Sequence, residues 1–503
     1  MPRRAAAAAI LLGLLWYAAL GFRQPDRPGL NYEECAFAPP LIGGPRFEAH
    51  PTPDLKSLLM KPFLSRAGNS ASAIRFPLVA VGLLGIALSA LFAWRHLGRR
   101  EAALFALLAA LDPSVLHHVR EDYARAALSF PLRAAVLLAC FSFLRGGKKR
   151  ALVAAGFLAG LGVWNQADFA LFVAALIITL AIWQRGVFRW WPAALAFFIG
   201  ASPALVFWIS QRDLVALSLH APPVSMLSLG YKLAAIYDTL RAHYPTYTFL
   251  GAGSITPPHT LLPEVLLAGL CLMIWLRRRG AMTSVNRALP LLATLFGVHA
   301  LLLFFVPQTF GSHHFFALAP TAHLLAAALV FHFLDHVFAS ATARRIATPL
   351  LLAPILITSL ISSIGAERLL DKRGGDGPWS PAITKLAEAL RGRSDLNMVF
   401  LDGGMTTQLI TRNGAFPQEE IFRSFVAPPP PAQVVQHLDS LLADARVVFI
   451  THEPKRVMFT QVTRTFDERL RALGLERCFA EGIADNRGKI QYEMFAVCKK
   501  TLP

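Results

Sequence analysis

Charged residues are scarce in this sequence, and their scarcity excludes an ordinary soluble fold. Only 16% of the 503 residues are charged, whereas 55% are hydrophobic, and the mean hydropathy is positive. A soluble chain of this length needs more polar surface to cover its core. Acids are the rarer charges, with 31 Asp and Glu against 49 Lys and Arg. We therefore expect a membrane protein in which any group of acids is informative.

Cysteine is also rare, and the five cysteines are too few to define a disulfide framework. Cys140 and Cys271 fall in apolar runs and are expected to be packing residues. Cys478 and Cys498 lie in a C-terminal segment that the topology below places outside the cytoplasm. An oxidising compartment would permit a disulfide between them. Two unpaired thiols are an equally good interpretation.

The hydrophobic residues are gathered in runs of about twenty, which is the length that crosses a hydrocarbon layer as a helix. The first run follows Arg3-Arg4 and has the look of a cleaved signal peptide. Ten alternating runs follow it, so we expect a retained first helix. About eleven transmembrane helices are predicted, near residues 5–22, 76–94, 102–117, 128–144, 151–164, 168–184, 189–209, 262–276, 288–306, 315–335 and 346–364.

Basic residues lie in alternate loops, which is the positive-inside pattern of a membrane protein. The intervening short loops hold only Arg120 and Arg125. We therefore expect a bacterial inner-membrane protein with a cytoplasmic N-terminus, and nucleic acid is not an expected partner despite the net charge of +18. The basic clusters are Arg3-Arg4; Arg95, Arg99 and Arg100; Arg145 and Lys148–Arg150; Arg185 and Arg189; Arg277–Arg279 and Arg287; and Arg344-Arg345.

Eleven crossings place the long loops and the C-terminal segment on the external face. Residues 226–240 are amphipathic at helical spacing, which suits a helix at the membrane surface. Past residue 365 the composition becomes that of a soluble α/β domain, with strands expected at 397–401, 447–451 and 491–497 and a helix at 457–473. The predicted parts are a transmembrane domain at 1–365 with external loops 23–75 and 210–261, a linker at 366–378, and a periplasmic domain at 379–503.

Two acidic pairs, Glu33-Glu34 and Glu121-Asp122, are expected on the external face, shortly after the first and third spans. The spans could bring both pairs to one cavity. There, a carboxylate can accept a proton from an attacking hydroxyl or hold a cation beside a phosphate. By composition alone, solvated loop charges are the simpler interpretation. Asp112-Pro113 predicts a kink, with Asp112 capping the next helical turn.

The pattern around these pairs resembles that of C-type membrane glycosyltransferases, which include the protein O-mannosyltransferases and the aminoarabinose transferases. Residues 32–36, Tyr-Glu-Glu-Cys-Ala, are similar to the Tyr-Asp-Glu segment after the first helix of that group. Residues 111–113 and 117–123 resemble its second-loop motif. Residues 160–166 and 312–315 resemble two later stretches. The similarity covers the order of elements over roughly residues 1–365.

The resemblance implies transfer of a sugar from a polyprenyl-phosphate-linked donor to the hydroxyl of a glycan, lipid or protein acceptor. Glu33 matches the acid that acts on the acceptor, Glu34 its partner, and Glu121, beside Asp122, the acid of the second loop. No nucleotide-sugar site is expected, and the need for a divalent metal ion stays open. The cations expected to bind the lipid phosphate are Arg120, Arg125, Lys232, Arg241, His313 and His314.

Several positions depart from the family pattern. Glu33 replaces Asp, Tyr123 replaces Arg, Gln166 replaces Lys, and His313-His314 replace Arg-Tyr. Because cations are lost, a non-catalytic envelope assembly protein stays an alternative. A transporter or flippase is a second alternative, although it would need charges spaced through the middle of several spans. For Lys232 and Arg241 the simpler role is anchoring on lipid headgroups, and for the two histidines it is a polar turn.

Overall fold

The structure is a computed structural model that describes residues 1–35, 55–67, 70–122, 125–184, 191–210, 226–243, 259–278, 288–305, 312–393, 395–413, 418–421, 432–457 and 460–500. Its membrane part is helical. The helices are α1 (Arg3–Gly21), α2 (Tyr32–Cys35), α3 (Leu55–Ala67), α4 (Ala71–His96), α5 (Arg99–Leu111), α6 (Pro113–Arg120), α7 (Ala126–Gly146), α8 (Lys149–Asn165), α9 (Phe169–Trp183), α10 (Trp191–Ser210), α11 (Met226–Leu240), α12 (Leu262–Arg278), α13 (Ala288–Phe305), α14 (Ser312–Phe315), α15 (Ala319–Val337) and α16 (Ala341–Arg373).

Each predicted span corresponds to a helix or to a bent pair of helices. Among the described residues, seven helices are long and apolar enough to cross a membrane, and the bent pair α5–α6 would make eight. The apolar helices at 169–183 and 262–276 are shorter. The chain is therefore a multi-pass membrane protein, and the count of eleven crossings stays a prediction. The predicted surface segment at 226–240 is the helix α11.

The third predicted span is broken at Asp112-Pro113, where α5 and α6 meet at 63°. Proline has no amide hydrogen and its ring clashes with the preceding turn, so α5 ends there. Asp112 then starts α6, because its Oδ1 accepts a hydrogen bond from the amide of Ser114 at 2.7 Å. The prediction that Asp112 caps the next turn is confirmed.

Helix α15 lies in the middle of the bundle, since every residue from Ala319 to Phe331 is buried. Helices α8 and α10 approach each other so closely that glycine is required. A Cβ on Gly160 would lie 2.2 Å from the carbonyl oxygen of Phe197, and one on Gly156 would lie 2.1 Å from that of Ala193. Small residues four apart allow such contact in a membrane, where packing rather than water exclusion holds helices together.

The C-terminal α/β domain is confirmed. Its strands are β1 (Asn397–Phe400), β2 (Gln418–Glu420), β3 (Val447–His452), β4 (Leu475–Ala484) and β5 (Ile490–Lys499), and its helices are α17 (Ala382–Leu390), α18 (Thr406–Asn413), α19 (Ala432–Ala443) and α20 (Thr460–Ala472). The sheet order is β2-β1-β3-β5-β4, parallel across the first three strands and antiparallel across the others. Successive residues of a strand point to opposite faces of the sheet, so Val399 packs in the hydrophobic core on one face and Phe400 in the core on the other.

Three features of this region differ from or extend the predictions. Helix α16 continues to Arg373, into the segment that composition assigned to the linker, and ends where Gly374 adopts φ +71°. Strands β2 and β4 were not predicted. Cys478 and Cys498 lie on the neighbouring strands β4 and β5, where Cys478 faces Ala496 and Cys498 faces Glu476. Both are free thiols in the structure.

The C-terminal domain packs against the segment that follows α1. The amide of Gly29 donates a hydrogen bond to the carbonyl oxygen of Trp379 at 2.7 Å. A Cβ on Gly29 would lie only 2.2 Å from the carbonyl oxygen of Ser380, so the two backbones are in direct contact. Arg23 also forms an ion pair at 2.7 Å with Asp371, which lies near the end of α16 just before the domain. These contacts fix the domain beside the first acidic pair.

Candidate active site on the loop face

The first acidic pair lies on the face of the bundle that carries residues 22–35 and 121–122, which we name the loop face. Glu34 is fully buried, and its two carboxylate oxygens accept hydrogen bonds from Arg75 at 2.6 and 2.9 Å. Arg75, near the start of α4, also donates to the carbonyl oxygens of Pro25 and Pro28, each at 2.7 Å. The guanidinium of Arg75 therefore binds residues 25–34 to the start of α4.

Glu34 also shapes the short helix α2 on which it lies. Its Oε1 accepts a hydrogen bond from the amide of Asn31 at 2.7 Å, while its own amide donates to Oδ1 of Asn31 at 3.2 Å. This reciprocal pair starts α2 and fixes the backbone at Glu33. The side chain of Glu33 lies outside the described residues. The carboxylate of Glu34 thus holds the backbone of α2, the helix on which Glu33 lies.

The second acidic pair begins with Glu121, at the end of α6. Its Oε1 accepts a hydrogen bond from Nε of Arg120 at 2.9 Å, and its Oε2 lies 3.3 Å from Nδ1 of His117. Burial alone would raise the pKa of Glu121, but the charges of Arg120 and His117 overcome this effect and lower its pKa to about 2. Glu121 is therefore a carboxylate at neutral pH.

Asp122 connects the second pair to both neighbouring elements. Its Oδ1 accepts a hydrogen bond from the amide of Ala127 at 2.9 Å, at the start of α7. Its Oδ2 forms a buried ion pair with Nζ of Lys56, from α3. Lys56 also donates to the carbonyl oxygen of Glu34 at 3.3 Å. One lysine thus joins the two acidic loops.

The two acidic loops meet, as the sequence predicts. Besides the Lys56 bridge, Nδ2 of Asn31 donates to the carbonyl oxygen of Glu121 at 3.4 Å. The group of Glu34, Glu121, Asp122, Lys56, Arg75, Arg120 and His117 is named the acid cluster below. Lys56, Arg75 and His117 were not predicted. Their signal in the sequence was weak, since Arg75 stands just before an apolar run and Lys56 inside a long loop.

The cations predicted to bind a lipid phosphate are bound to different protein groups in the structure. Arg120 belongs to the acid cluster, and its guanidinium also donates to the carbonyl oxygens of Leu20 at 3.4 Å and Arg27 at 3.1 Å. Lys232 is buried and donates to the carbonyl oxygen of Phe304 at 3.3 Å. Arg241 forms an ion pair with Glu264 at 3.2 Å. The side chain of His313 lies outside the described residues.

Arg125 and His314 lie in one polar network beside α7. Arg125 donates to the carbonyl oxygen of Asn165 at 3.1 Å, and Nδ2 of Asn165 donates to Oγ of Ser129 at 3.0 Å. Ser129 in turn donates to Oε1 of Gln166 at 3.0 Å. The network ends at Asp168, which accepts a hydrogen bond from Gln166 at 3.3 Å and pairs with Nδ1 of His314. Gln166 and His314 therefore occupy a shared site, separate from the acid cluster.

A third pair lies deeper, where Oδ2 of Asp112 is 2.8 Å from Nε2 of His323. Both side chains are buried, and they link the α5–α6 bend to the central helix α15. Asp112 is thus used twice, as a helix cap and as a partner of His323. Among the described residues, no three His, Cys, Asp or Glu side chains form a group suited to a metal ion.

The C-terminal domain reaches the acid cluster through α18. Its Thr411 lies beside the thiol of Cys35, the residue after Glu34. Burial raises the pKa of Cys35 to about 12, so the thiol is uncharged and unreactive at neutral pH. Arg412, next in α18, is also near enough for its charge to act on Cys35 and Glu34. The domain therefore forms part of the wall around α2.

Comparison with known proteins agrees with this architecture. A family model described as dolichyl-phosphate-mannose-protein mannosyltransferase matches residues 52–209. No curated protein sequence matches the chain. Among solved structures, the chain is similar to ArnT from Cupriavidus metallidurans bound to undecaprenyl phosphate, with a TM-score of 0.57, 13% identity and 97% of each chain covered.

Two archaeal structures from Archaeoglobus fulgidus are similar as well. The apo oligosaccharyltransferase gives a TM-score of 0.53 and 14% identity over 89% of this chain and 69% of that one. AglB in complex with an inhibitory peptide and a dolichol-phosphate gives 0.53 and 14% over 99% and 75%. The chain therefore has the fold of the C-type membrane glycosyltransferases, and the resemblance seen in the sequence is confirmed at that level.

Proposed function

We propose that this protein is a glycosyltransferase that moves a sugar from a polyprenyl-phosphate carrier to an acceptor hydroxyl at the loop face. The observation that carries the proposal is the meeting of the two acidic loops, joined by Lys56 and Asn31. Two solved structures with similar folds hold a polyprenyl-type phosphate, undecaprenyl phosphate in one and dolichol-phosphate in the other. In this proposal the loop face is periplasmic, on a bacterial inner membrane.

The reaction is an in-line displacement at the anomeric carbon. The acceptor oxygen forms the new bond to this carbon, the bond to the phosphate oxygen breaks, and the polyprenyl phosphate leaves with the electron pair. Glu33 accepts the proton of the attacking hydroxyl. Glu34 holds the backbone of α2 in place through Asn31 and Arg75, which fixes the position of Glu33.

Glu121 has a different role from Glu33. With a pKa of about 2 it has no proton to donate at neutral pH, and its charge is already balanced by Arg120. It therefore keeps the second loop in position through its ion pair with Arg120. Asp122 does the same through Lys56 and the start of α7.

The test is replacement of Glu33 by Gln in the full chain. Membranes containing each variant are given a radiolabelled undecaprenyl-phosphate hexose, and transfer of label to endogenous acceptors is measured. Loss of a general base is expected to lower turnover by about 10²–10⁴-fold. Glu468→Gln, an exposed acid on α20, is the matched control and should keep full turnover. Unchanged turnover in Glu33→Gln would remove this residue from the mechanism.

A further inference from the structure

Arg133 is a buried arginine inside the membrane helix α7. Its side chain is 2% exposed, and it makes no hydrogen bond or ion pair with any residue that the structure describes. Its contact is with the ring of Phe169, whose centroid lies 5.2 Å from the guanidinium carbon. A charge without a partner is expensive within a bilayer, and such residues are usually kept for function.

His299, on α13, faces the same region and is also without a partner. It is fully buried, and neither ring nitrogen forms a hydrogen bond to a described residue. Its ring contacts Phe172 at 5.7 Å, while Arg133 contacts Phe169 one turn away on α9. The charge of Arg133 acts on His299, and that of Asp168 acts on Arg133. Two unsatisfied polar side chains from different helices thus lie together.

The two side chains lie at one depth. Arg133 is seven residues into α7 from Ala126, or about 10 Å below the loop face at 1.5 Å per residue. His299 is six residues from Phe305 at the end of α13, or about 9 Å below the same face. Ser129, one turn above Arg133, belongs to the polar network of Arg125 and His314. Arg133 therefore lies about one helical turn deeper in α7 than this network.

Four basic side chains that the structure describes near the loop face are already bound by protein groups. Arg75 is bound to Glu34 and Arg120 to Glu121, and each also donates to backbone carbonyls. Lys56 is paired with Asp122, and Arg125 is bound to Asn165. A lipid phosphate would have to displace these bonds, whereas Arg133 and His299 have hydrogen-bonding capacity left. Phe316 stacks on His118 with ring centroids 4.6 Å apart, and its ring also contacts that of Phe130 on α7.

We propose that Arg133 and His299 form an anion site that binds the phosphate of the polyprenyl carrier. This inference rests on the proposed function and names its phosphate-binding residues. In this proposal the acids of the loop face act on the acceptor, and Arg133 acts on the leaving group. Arg133 neutralises the phosphate as the glycosidic oxygen acquires charge, and His299 donates a hydrogen bond to it. The phosphomonoester of a lipid is the ligand class.

The first test measures binding of undecaprenyl phosphate to the purified full chain in detergent, by native mass spectrometry, with undecaprenol as the uncharged comparison. The wild type should prefer the phosphate. Arg133→Gln should lose at least about tenfold of that preference, as expected for loss of one hydrogen bond to a charged group. His299→Phe should lose part of it. Arg145→Gln, at the other end of the same helix, is the matched control and should bind as wild type.

The second test separates a binding role from a structural one. Arg133→Leu removes an unpartnered buried charge, so its thermal midpoint in detergent without lipid should rise while phosphate preference is lost. A lowered midpoint together with unchanged preference would overturn the proposal and assign Arg133 to the fold. If the wild type shows no preference for the phosphate, the proposed function itself fails. If the wild type prefers it and Arg133→Gln does so equally, the inference about Arg133 and His299 fails and the function stands.

Discussion

At the scale of single residues, the charged side chains of the acid cluster are bound by other groups of the protein. Arg75 and Glu34 are both completely buried, and they form two hydrogen bonds to each other. Bidentate geometry of this kind suits arginine and cannot be reproduced by lysine. Such a pair gives little net stability compared with two apolar residues, but it fixes the position of α2. Its role is to hold the backbone beside Glu33.

The ion pair of Arg75 and Glu34 predicts that losing one partner lowers the stability of the protein and that replacing the other partner as well restores much of it. Arg75→Met leaves the carboxylate of Glu34 buried without its partner, and it should lower the free energy of unfolding by about 3–5 kcal/mol. The measurement is thermal or denaturant unfolding of the full chain in detergent. Combining Arg75→Met with Glu34→Gln should recover much of the loss, because the uncompensated charge is removed. Additive losses in the double variant would show that the two side chains do not interact.

At the scale of helices, local sequence explains most boundaries. Pro113 ends α5, and Asp112 caps α6. Ser70 caps α4 and Ser340 caps α16 through hydrogen bonds to Ala73 and Ala343. The positions of the spans follow from apolar runs, which is why they were predictable. Helix pairing depends instead on which small residues face each other, as between α8 and α10.

The contact between α8 and α10 gives a prediction at this scale. A methyl group at Gly160 would lie 2.2 Å from a backbone oxygen of α10, so one of the two helices must shift. Gly160→Ala should lower the stability of the full chain in detergent by about 1–3 kcal/mol. Gly297→Ala on α13 is the matched control, since a Cβ there meets no atom within 4 Å. Equal stability of the two variants would contradict the close approach.

At the scale of the whole molecule, the C-terminal domain and the membrane part meet at the acid cluster. Gly29 touches the backbone at Trp379 and Ser380, and Cys35 touches Thr411. The segment with the first acidic pair is therefore held from both sides, by Arg75 of the bundle and by α18 of the domain. We infer that the domain keeps α2 in place for the proposed reaction.

Gly29 allows this docking to be tested. Gly29→Ala places a methyl group against the carbonyl oxygen of Ser380, so the domain should separate from the loop and protease cleavage near residues 374–378 should become faster. In the transfer assay, turnover should fall by about tenfold or more because α2 loses its support. Gly230→Ala on α11, with open space around its Cβ, should change neither measurement. Unchanged cleavage and turnover would show that the contact is not needed.

The sequence by itself determined the membrane class, the places of the helices and the α/β character of the C-terminal domain, and it raised the possibility that the two acidic loops meet. These features depend on hydrophobic runs and on the order of spans, which can be read along the chain. The predicted site was only partly found. Among the expected cations, Arg120 belongs to the acid cluster and Arg125 and His314 to a separate polar network, whereas Lys232 is bound to the backbone of α13.

Only the tertiary structure decided which charges are neutralised and which remain available. Arg75 binds Glu34 across 41 positions, and His314 binds Asp168 across 146. No periodicity connects such residues, because an ion pair depends on distance and burial after packing. The same reason explains why Lys56 was missed and why Arg133, within an apolar run, could be recognised as unpartnered only once its neighbours were known.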